Sequence, residues 1–255
     1  MQDKALLSIA IVTYNSADEI CGCLKSITEN TKEVGYKLYI IDNASTDNTV
    51  ELVRQSFPQV TVIETGENRG FGFGHNRLLD TDCKYHAVIN PDITVDSDVF
   101  SALVGYLEAH PEAVLVTPKI YNPDGSEQHL PKRRPTAKYM LLGRLSRYLR
   151  FLKPVRDEYT MAEFNITEPC EIEFCTGCFM LMRSEAFKKI GGFDEGFFMY
   201  LEDADLSDRI AQYGKIVFNP LCRATHNWDG GSSKSLKLLR YHFASMFRYL
   251  KKKRK

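Results

Sequence analysis

Three carboxylates fall within four positions at Glu202-Asp203-Ala204-Asp205, directly behind the apolar run Phe197-Phe198-Met199-Tyr200-Leu201. Acids crowded behind an apolar wall repel one another and lose hydration, and both effects raise carboxylate pKa. A carboxylate raised in this way can take a proton from a hydroxyl near neutral pH. The competing reading is electrostatic support for a helix: the same three acids would complement the positive end of a helix running to about Tyr213. Polar residues also gather at Thr13-Tyr14-Asn15, Asp42-Asn43-Ala44-Ser45-Thr46-Asp47, Glu67-Asn68-Arg69-Gly70 and Asn90-Pro91-Asp92. Asp42 suits a hydrogen bond from a pyrimidine ring N–H, and Arg69 suits paired contacts with a pyrophosphate. Asp92 suits a divalent cation bound through oxygen. His226 stands beside the single tryptophan, Trp228, and the polar run Asp229-Gly230-Gly231-Ser232-Ser233, and imidazole also ligates Mn²⁺-type ions. Each of these sets taken alone reads equally as a capped loop or a structural histidine.

The elements around them give the sets a common place. Leu6 to Tyr14 is a continuous apolar run, the pattern of a buried parallel strand. Further strands are expected at Tyr36–Ile41, Val60–Glu64, His86–Ile89 and Ala113–Thr117. Helices are expected from Ser16 or Asp18 to Glu29, from Asp47-Asn48-Thr49 to Ser56, over Phe71–Leu79 and over Val95–Ala109. This alternation predicts a doubly wound, mostly parallel α/β sheet, with ligands at the carboxyl ends of the strands. All four polar sets fall at such ends, which marks a binding crevice. Later segments are less regular. Glu171–Met182 reads as strand, Ser184–Ile190 and Glu202–Tyr213 as helix, Ile216–Ala224 as extended chain and Ser235–Leu250 as a terminal helix.

Several signals are weaker than they look. Gly70, Gly72 and Gly74 do not fit Gly-x-Gly-x-x-Gly, because His75 or Arg77 falls at the last position, so NAD is set aside. Asn-Pro-Asp occurs at 90–92 and at 122–124, and Gly125 makes the second a tight turn, leaving Asp92 as the metal candidate. Cys175 and Cys178 have CxxC spacing with no second pair, so buried thiols are favoured over zinc.

The chain of 255 residues suits one large domain or two small ones, and its formal charge of zero draws it to no nucleic acid. No apolar run reaches the ~18 residues of a membrane span. Without a recognisable export signal the expectation is a cytoplasmic protein with reduced thiols. Charge is uneven, however. Lys132 to Arg156 contains no acid, nor does the chain after Asp229, which closes on Lys251-Lys252-Lys253-Arg254-Lys255. Leu141, Leu142, Leu145, Tyr148, Leu149 and Leu152 share a helix face with Arg144, Arg147 and Arg150 beside it. Leu236, Leu239, Phe243, Phe247 and Leu250 form a second stripe. Such basic amphipathic helices can lie on an anionic membrane. For the first stripe, membrane contact and core packing stand equal; for the second, core packing is favoured.

Together, Thr13-Tyr14-Asn15, Asp42 to Asp47, Asn68-Arg69-Gly70-Phe71-Gly72-Phe73-Gly74-His75-Asn76, Asn90-Pro91-Asp92, Gly177, Gly191 to Glu195 and Tyr200 to Leu206 resemble the glycosyltransferase family 2 enzymes, and most closely their bacterial rhamnosyltransferase-like branch. The resemblance spans about residues 6 to 245. It implies a GT-A fold, with a smaller mixed sheet on the acceptor side and a C-terminal helix, and inverting transfer of a sugar from a nucleotide sugar. It implies one catalytic domain over 1–233, whose nucleotide-sugar half is about 1–120 and acceptor half about 121–233, followed by a basic helix and tail over 234–255. Thr13, Tyr14, Asn15, Asp42, Asn43, Asn68, Arg69, Gly70, Asn76, Asn90 and Asp92 would bind the nucleotide sugar. Asp92 and His226 would hold Mg²⁺ or Mn²⁺, Asp203 would be the catalytic base, and Glu202 and Trp228 would border the acceptor. Asn90 replaces the first acid of the family's Asp-x-Asp motif, which leaves one fewer anionic ligand. No Gln-x-x-Arg-Trp motif follows the base, which suggests addition of single sugars. The expected donor is a dTDP- or UDP-sugar, with dTDP-L-rhamnose the leading candidate. The expected acceptor is a glycan or lipid-linked glycan met at the inner face of the plasma membrane. A non-catalytic nucleotide-sugar- or glycan-binding relative is the alternative, and a sugar-phosphate nucleotidyltransferase ranks behind it, because Thr13-Tyr14-Asn15-Ser16 stands where that class carries a glycine-rich phosphate loop.

Overall fold

The structure, a computed structural model, describes residues 5–146, 149–228 and 236–252. Arg147, Tyr148, Asp229-Gly230-Gly231-Ser232-Ser233 and Lys253-Arg254-Lys255 therefore lie outside the described residues, as do the side chains of Arg144 and Leu236.

The first part alternates strand and helix as expected: β1 Leu7–Thr13, α1 Ala17–Asn30, β2 Tyr36–Asp42, α2 Thr49–Ser56, β3 Thr61–Glu64, α3 Phe71–His75 and β4 Tyr85–Ile89. Every residue of β1 is buried because it runs between two parallel neighbours with helices over its faces. β3, β2, β1 and β4 lie side by side in that order, all parallel.

Beyond β4 the same sheet continues but turns mixed. The elements are β5 Ile93–Thr94, α4 Val99–Ala109, β6 Ala113–Tyr121, α5 Ala137–Leu145, α6 Lys153–Thr160, β7 Cys170–Ile172, β8 Phe179–Arg183, α7 Ser184–Lys189, α8 Glu202–Ile210, β9 Lys215–His226 and α9 Leu236–Lys252. The full order is β3-β2-β1-β4-β8-β6-β9-β5, with β7 also on β9. β8 runs antiparallel between β4 and β6, while β6 and β9 are parallel. The mixed strands on the acceptor side are thus continuous with the parallel ones.

Among the boundaries that differ from the sequence reading, three have a clear physical reason. α4 starts at Val99, not Val95, because Asp98 caps it by accepting from Ser101 N, and Ile93–Thr94 pair with β9. The expected strand 171–182 is two strands: β7 stays at the edge on β9, β8 enters the sheet centre, and the chain between them loops out through Gly177. The last strand extends to His226, whose register partner is Ile93.

α9 packs on the protein, as favoured, through a face that shares Leu250 with the stripe read from the sequence but leaves out Phe243 and Phe247. Met246 and Tyr249 are buried with Met140, Phe174, Phe197, Leu201 and Ala204, whereas Phe243 and Phe247 are exposed. The buried face wins because it finds partners: Ser245 Oγ donates to Met199 O (2.7 Å) and Tyr249 Oη to Asp208 (2.7 Å). The first stripe faces outward: Leu141, Leu142, Leu145 and Leu149 are all exposed. No helix among the described residues is long and apolar enough to cross a membrane.

Candidate active site

β1, β2 and β4 leave the sheet along one edge. Thr13 pairs with Asp42, and Ile11 with Ile89, so Thr13-Tyr14-Asn15, Asp42-Asn43 and Asn90-Pro91-Asp92 emerge side by side. Asp42 is buried; its Oδ1 accepts from Thr13 Oγ1 (2.9 Å) and Ser45 Oγ (2.5 Å), its Oδ2 from Ser45 N (2.8 Å). A carboxylate offers about four acceptor positions, which leaves one on Oδ2 for a ring N–H. Tyr14, half exposed, offers a ring face at the same edge. Asn15 takes a left-handed backbone (φ 53°) and is tied to the next loop through Thr46 N and Ser45 Oγ.

The loop before α3 is shaped from both sides. Asn43 Nδ2 donates to Gly70 O (3.0 Å), and Gly70 N donates to Asn68 Oδ1 (3.1 Å). Gly70 sits at φ +100°, where a Cβ would fall 2.0 Å from Phe198 O, so only glycine fits. Arg69 lies over the Phe73 ring and 3.4 Å from Glu195, half exposed to the crevice. Asn76 is held within the protein. Its amide nitrogen donates to Phe193 O (2.9 Å) and Glu195 Oε1 (3.1 Å), and its oxygen accepts from Phe193 N (2.8 Å). These bonds pin Gly192-Phe193 to the loop and use both N–H donors, leaving one lone pair of the amide oxygen.

The β5–β9 pairing brings together two residues far apart in sequence. His226 Nε2 stands 3.2 Å from Asp92 Oδ1 and 3.5 Å from Asn90 Nδ2. The ring's other nitrogen, Nδ1, is 3.0 Å from Gln128 Oε1. Gln128 is itself oriented, because its Nε2 donates to Asn122 Oδ1 (2.7 Å) and His226 O (3.1 Å). Its oxygen therefore faces the ring and accepts from Nδ1, which turns Nε2 toward Asp92 Oδ1 and Asn90 Nδ2. That Asp92 oxygen is buried with no hydrogen bond among the described residues. A buried carboxylate oxygen without a hydrogen-bond donor, 3.2 Å from an imidazole nitrogen, fits a shared cation. Among the described residues no third His, Cys, Asp or Glu joins them. An ion such as Mg²⁺, which keeps waters and binds substrate phosphates, suits so sparse a set.

α8 carries the acids. Tyr200 and Leu201, just before it, are both left-handed (φ 72° and 64°), a backbone costing on the order of 1–3 kcal/mol per residue and held here by packing. Asp203, half-buried, accepts from Gly177 N through Oδ2 (3.0 Å) and from Ala204 N through Oδ1 (2.9 Å). Burial raises its pKa against the pull of those donors. Glu202 is buried more deeply, with Oε2 unpartnered among the described residues; burial first, then the Asp203 charge, push it up further. Asp205 serves structure, pairing with Arg209 (2.7 Å) and Lys252. Cys178 lies between the two acids of interest: Asp92 and Asp203 both add to the burial that raises its thiol. Cys175 and Cys178 are free and buried.

An aromatic cavity of about 310 Å³ opens beside Tyr200 and Leu201, lined also by Tyr139, Tyr159, Trp228 and His242. Asp203 follows Leu201 of this wall by two residues. Trp228, expected on the acceptor side, is in this wall; Glu202 is not among its lining residues. Gln128, Tyr139 and Tyr159 were not singled out from sequence. A lone glutamine after a turn carries no local signal, and neither does Tyr159, which follows the acids Asp157-Glu158; Tyr139 lies in the basic segment 132–156.

A curled α/β sheet with acids at its carboxyl edge is the architecture of the GT-A glycosyltransferases, and similar solved structures have it. One is a mannosyltransferase from Pyrobaculum calidifontis in complex with GDP-Man and Mn²⁺, with a TM-score of 0.63 and 18% identity; the match covers 97% of this chain and 65% of that one. The chain belongs to glycosyl transferase family 2, whose sequence pattern matches residues 8–191. A second pattern, the N-terminal domain of galactosyltransferase, matches residues 159–227. Among curated relatives, an N-acetylglucosaminyl-diphospho-decaprenol L-rhamnosyltransferase of Mycobacterium tuberculosis is 29% identical, over 87% of this chain and 76% of its own. The rhamnosyltransferase WbbL of Escherichia coli is 28% identical, over 98% and 94%. The protein is a glycosyltransferase of rhamnosyltransferase-like type.

Proposed function

We propose that the chain transfers a single sugar, with inversion, from a dTDP- or UDP-sugar to a lipid-linked glycan in cell-surface polysaccharide synthesis, with L-rhamnose as the transferred sugar. The observation that supports this reading is the Asp203 carboxylate at the start of α8, two residues beyond Leu201 of the aromatic cavity and held by Gly177 N, with a pKa raised by burial. The two rhamnosyltransferase relatives support the sugar, and the name of the first supports a diphosphate-linked lipid acceptor. Asp42 and Tyr14 take the base of the nucleotide, and Arg69 takes its diphosphate. When bound by Asp92 and His226, Mg²⁺ or Mn²⁺ supplies positive charge opposite the departing nucleoside diphosphate. Asp203 removes the proton from the acceptor hydroxyl as that oxygen attacks the anomeric carbon from the face opposite the nucleotide. The wall of Phe197, Leu201 and the tyrosines excludes water that would hydrolyse the donor.

Asp203→Asn tests the base. Transfer should fall by at least about 100-fold, while nucleotide-sugar binding, followed by calorimetry, stays within about twofold. Undiminished turnover would remove Asp203 from the role. Screening dTDP- and UDP-sugars by thermal shift tests the donor, since a ligand at a hundredfold excess over its Kd adds about 2.7 kcal/mol.

A further inference from the structure

The acid-free segment 132–156 has two kinds of cation. Arg134 and Lys138 are neutralised, by Asp208 (2.7 Å) and Glu158 (2.7 Å). Arg150, Lys153 and Arg156 are exposed and have no ion pair among the described residues. These three converge on a cavity of about 370 Å³, whose only carboxylate is Asp157 and whose remaining lining residues are His129, Ser146 and Thr160. His129, Arg156 and Thr160 also line the aromatic cavity, so the two cavities share a wall. The aromatic cavity reaches Leu201, two residues before Asp203. A path therefore runs from the Leu201 end, past stacked aromatic rings (Tyr139 on Tyr159, centroids 4.8 Å apart), into a pocket of three cations and one carboxylate.

Exposed apolar residues flank the pocket-lining Ser146 and Arg150 along the chain. Leu141, Leu142, Leu145 and Leu149 are exposed on α5 and the segment after it, and Phe151 is 75% exposed. Met140 of α5 packs with Met246 and Tyr249 of α9, whose outer side exposes Phe243 and Phe247. Aromatic pocket, cationic pocket and apolar rim follow in the order in which a polyprenyl-diphosphate-linked sugar presents sugar, phosphates and lipid.

We propose that Arg150, Lys153 and Arg156 form the subsite for the diphosphate of such an acceptor, with its sugar in the aromatic cavity and its prenyl chain along the exposed apolar residues. The inference rests on the glycosyl-transfer reading above and goes further in naming where the acceptor's phosphates bind. A diphosphate diester carries two negative charges, which three cations and one carboxylate balance. Two of the cations are arginines, whose planar fork pairs with phosphate oxygens. The site needs nothing from the donor edge, so acceptor recognition and donor recognition fall on separate residues.

The test compares two acceptors with the same sugar: one linked through diphosphate to farnesol, one a neutral octyl glycoside. The parent enzyme should have the lower KM for the diphosphate acceptor. In the triple variant Arg150→Gln, Lys153→Gln, Arg156→Gln that preference should collapse, with the ratio of the two KM values falling about tenfold for each cation withdrawn from the phosphates. Arg156→Gln alone, checked for an unchanged melting temperature, should give a partial loss and guards against a misfolded triple variant. An unchanged KM ratio in both variants overturns the proposal. Flotation with neutral vesicles carrying farnesyl diphosphate, or carrying phosphatidylglycerol instead, gives a readout independent of turnover. The parent should bind the first in preference and the variants should not. Equal binding to both vesicle types, lost equally in the variants, would make the patch a general anionic-lipid contact and overturn the assignment. If the parent transfers no sugar to either acceptor from any donor, the glycosyl-transfer reading fails by itself, and flotation still decides the diphosphate subsite.

Discussion

Glu202 and Asp203 are neighbours on α8, yet they answer pH differently. Asp203 keeps two N–H donors and a partly open edge, so it ionises first; Glu202 then keeps its proton, because both burial and the new charge beside it favour the neutral form. If Asp203 is the base, activity is present above its raised pKa and lost as pH falls through it. The acid limb of kcat/KM should therefore lie above the ordinary carboxylate range near 4. Glu202→Gln should leave that limb in place, because Glu202 is neutral while Asp203 titrates; a limb moved to lower pH would show that the Glu202 charge sets it. Stability follows the same sign. Both carboxyls bind protons more tightly folded than unfolded, so they cost stability as pH rises from their unfolded values through their folded ones. In urea titrations the advantage of Glu202→Gln over the parent should grow between about pH 5 and pH 8, by more than about 1 kcal/mol. Gln128 acts through His226. Gln128→Leu removes the acceptor that keeps the Nδ1 proton in place, and Mn²⁺ affinity should drop about 10- to 100-fold. Gln128→Glu, which still accepts, should retain most of it. Paramagnetic resonance of free Mn²⁺ reads both without any turnover. Asp203, Asp92 and His226 were legible because each sits in a local pattern. Gln128 was not, since its meaning comes only from a turn, 122–126, that points its amide at a strand nearly a hundred residues away.

Secondary structure was legible where the burial pattern is unambiguous, as in β1, buried throughout, and in the body of α4, with one buried face. It was least legible where partners from distant segments choose between faces. α9 carries apolar residues on more than one side, and the sequence pattern favoured Phe243 and Phe247. The docked side is instead the one whose polar groups meet Asp208, Asp194 and the Met199 carbonyl. Two substitutions separate the faces. Met246→Ala should cost about 2–5 kcal/mol, as for other large-to-small changes in a core. Phe247→Ser should stay within about 0.5 kcal/mol, as at a surface position. Equal effects in denaturant melts would mean that α9 does not dock as described. The segment 171–182 misled for a similar reason. Its apolar run is long enough for one strand, but β7 and β8 belong to different neighbours, and only the gap between them lets Gly177 reach Asp203.

At the scale of the molecule, the nucleotide edge and the acceptor wall come from segments more than a hundred residues apart, and they meet backbone to backbone. Phe71 N donates to Phe198 O (3.3 Å), Gly70 leaves no room for a methyl group there, and Asn76 clasps Phe193 from both sides. Arg69 and Arg77 close the same seam onto Glu195. Gly70→Ala should therefore damage both halves together, costing more than about 2 kcal/mol of stability and weakening nucleotide-sugar binding and transfer alike; a loss confined to acceptor KM would argue against the seam. A seam of this kind gives the two proposed half-sites a physical route for coupling. If a bound donor tightens acceptor binding through it, an acceptor seated on that wall must by reciprocity tighten the donor by the same factor.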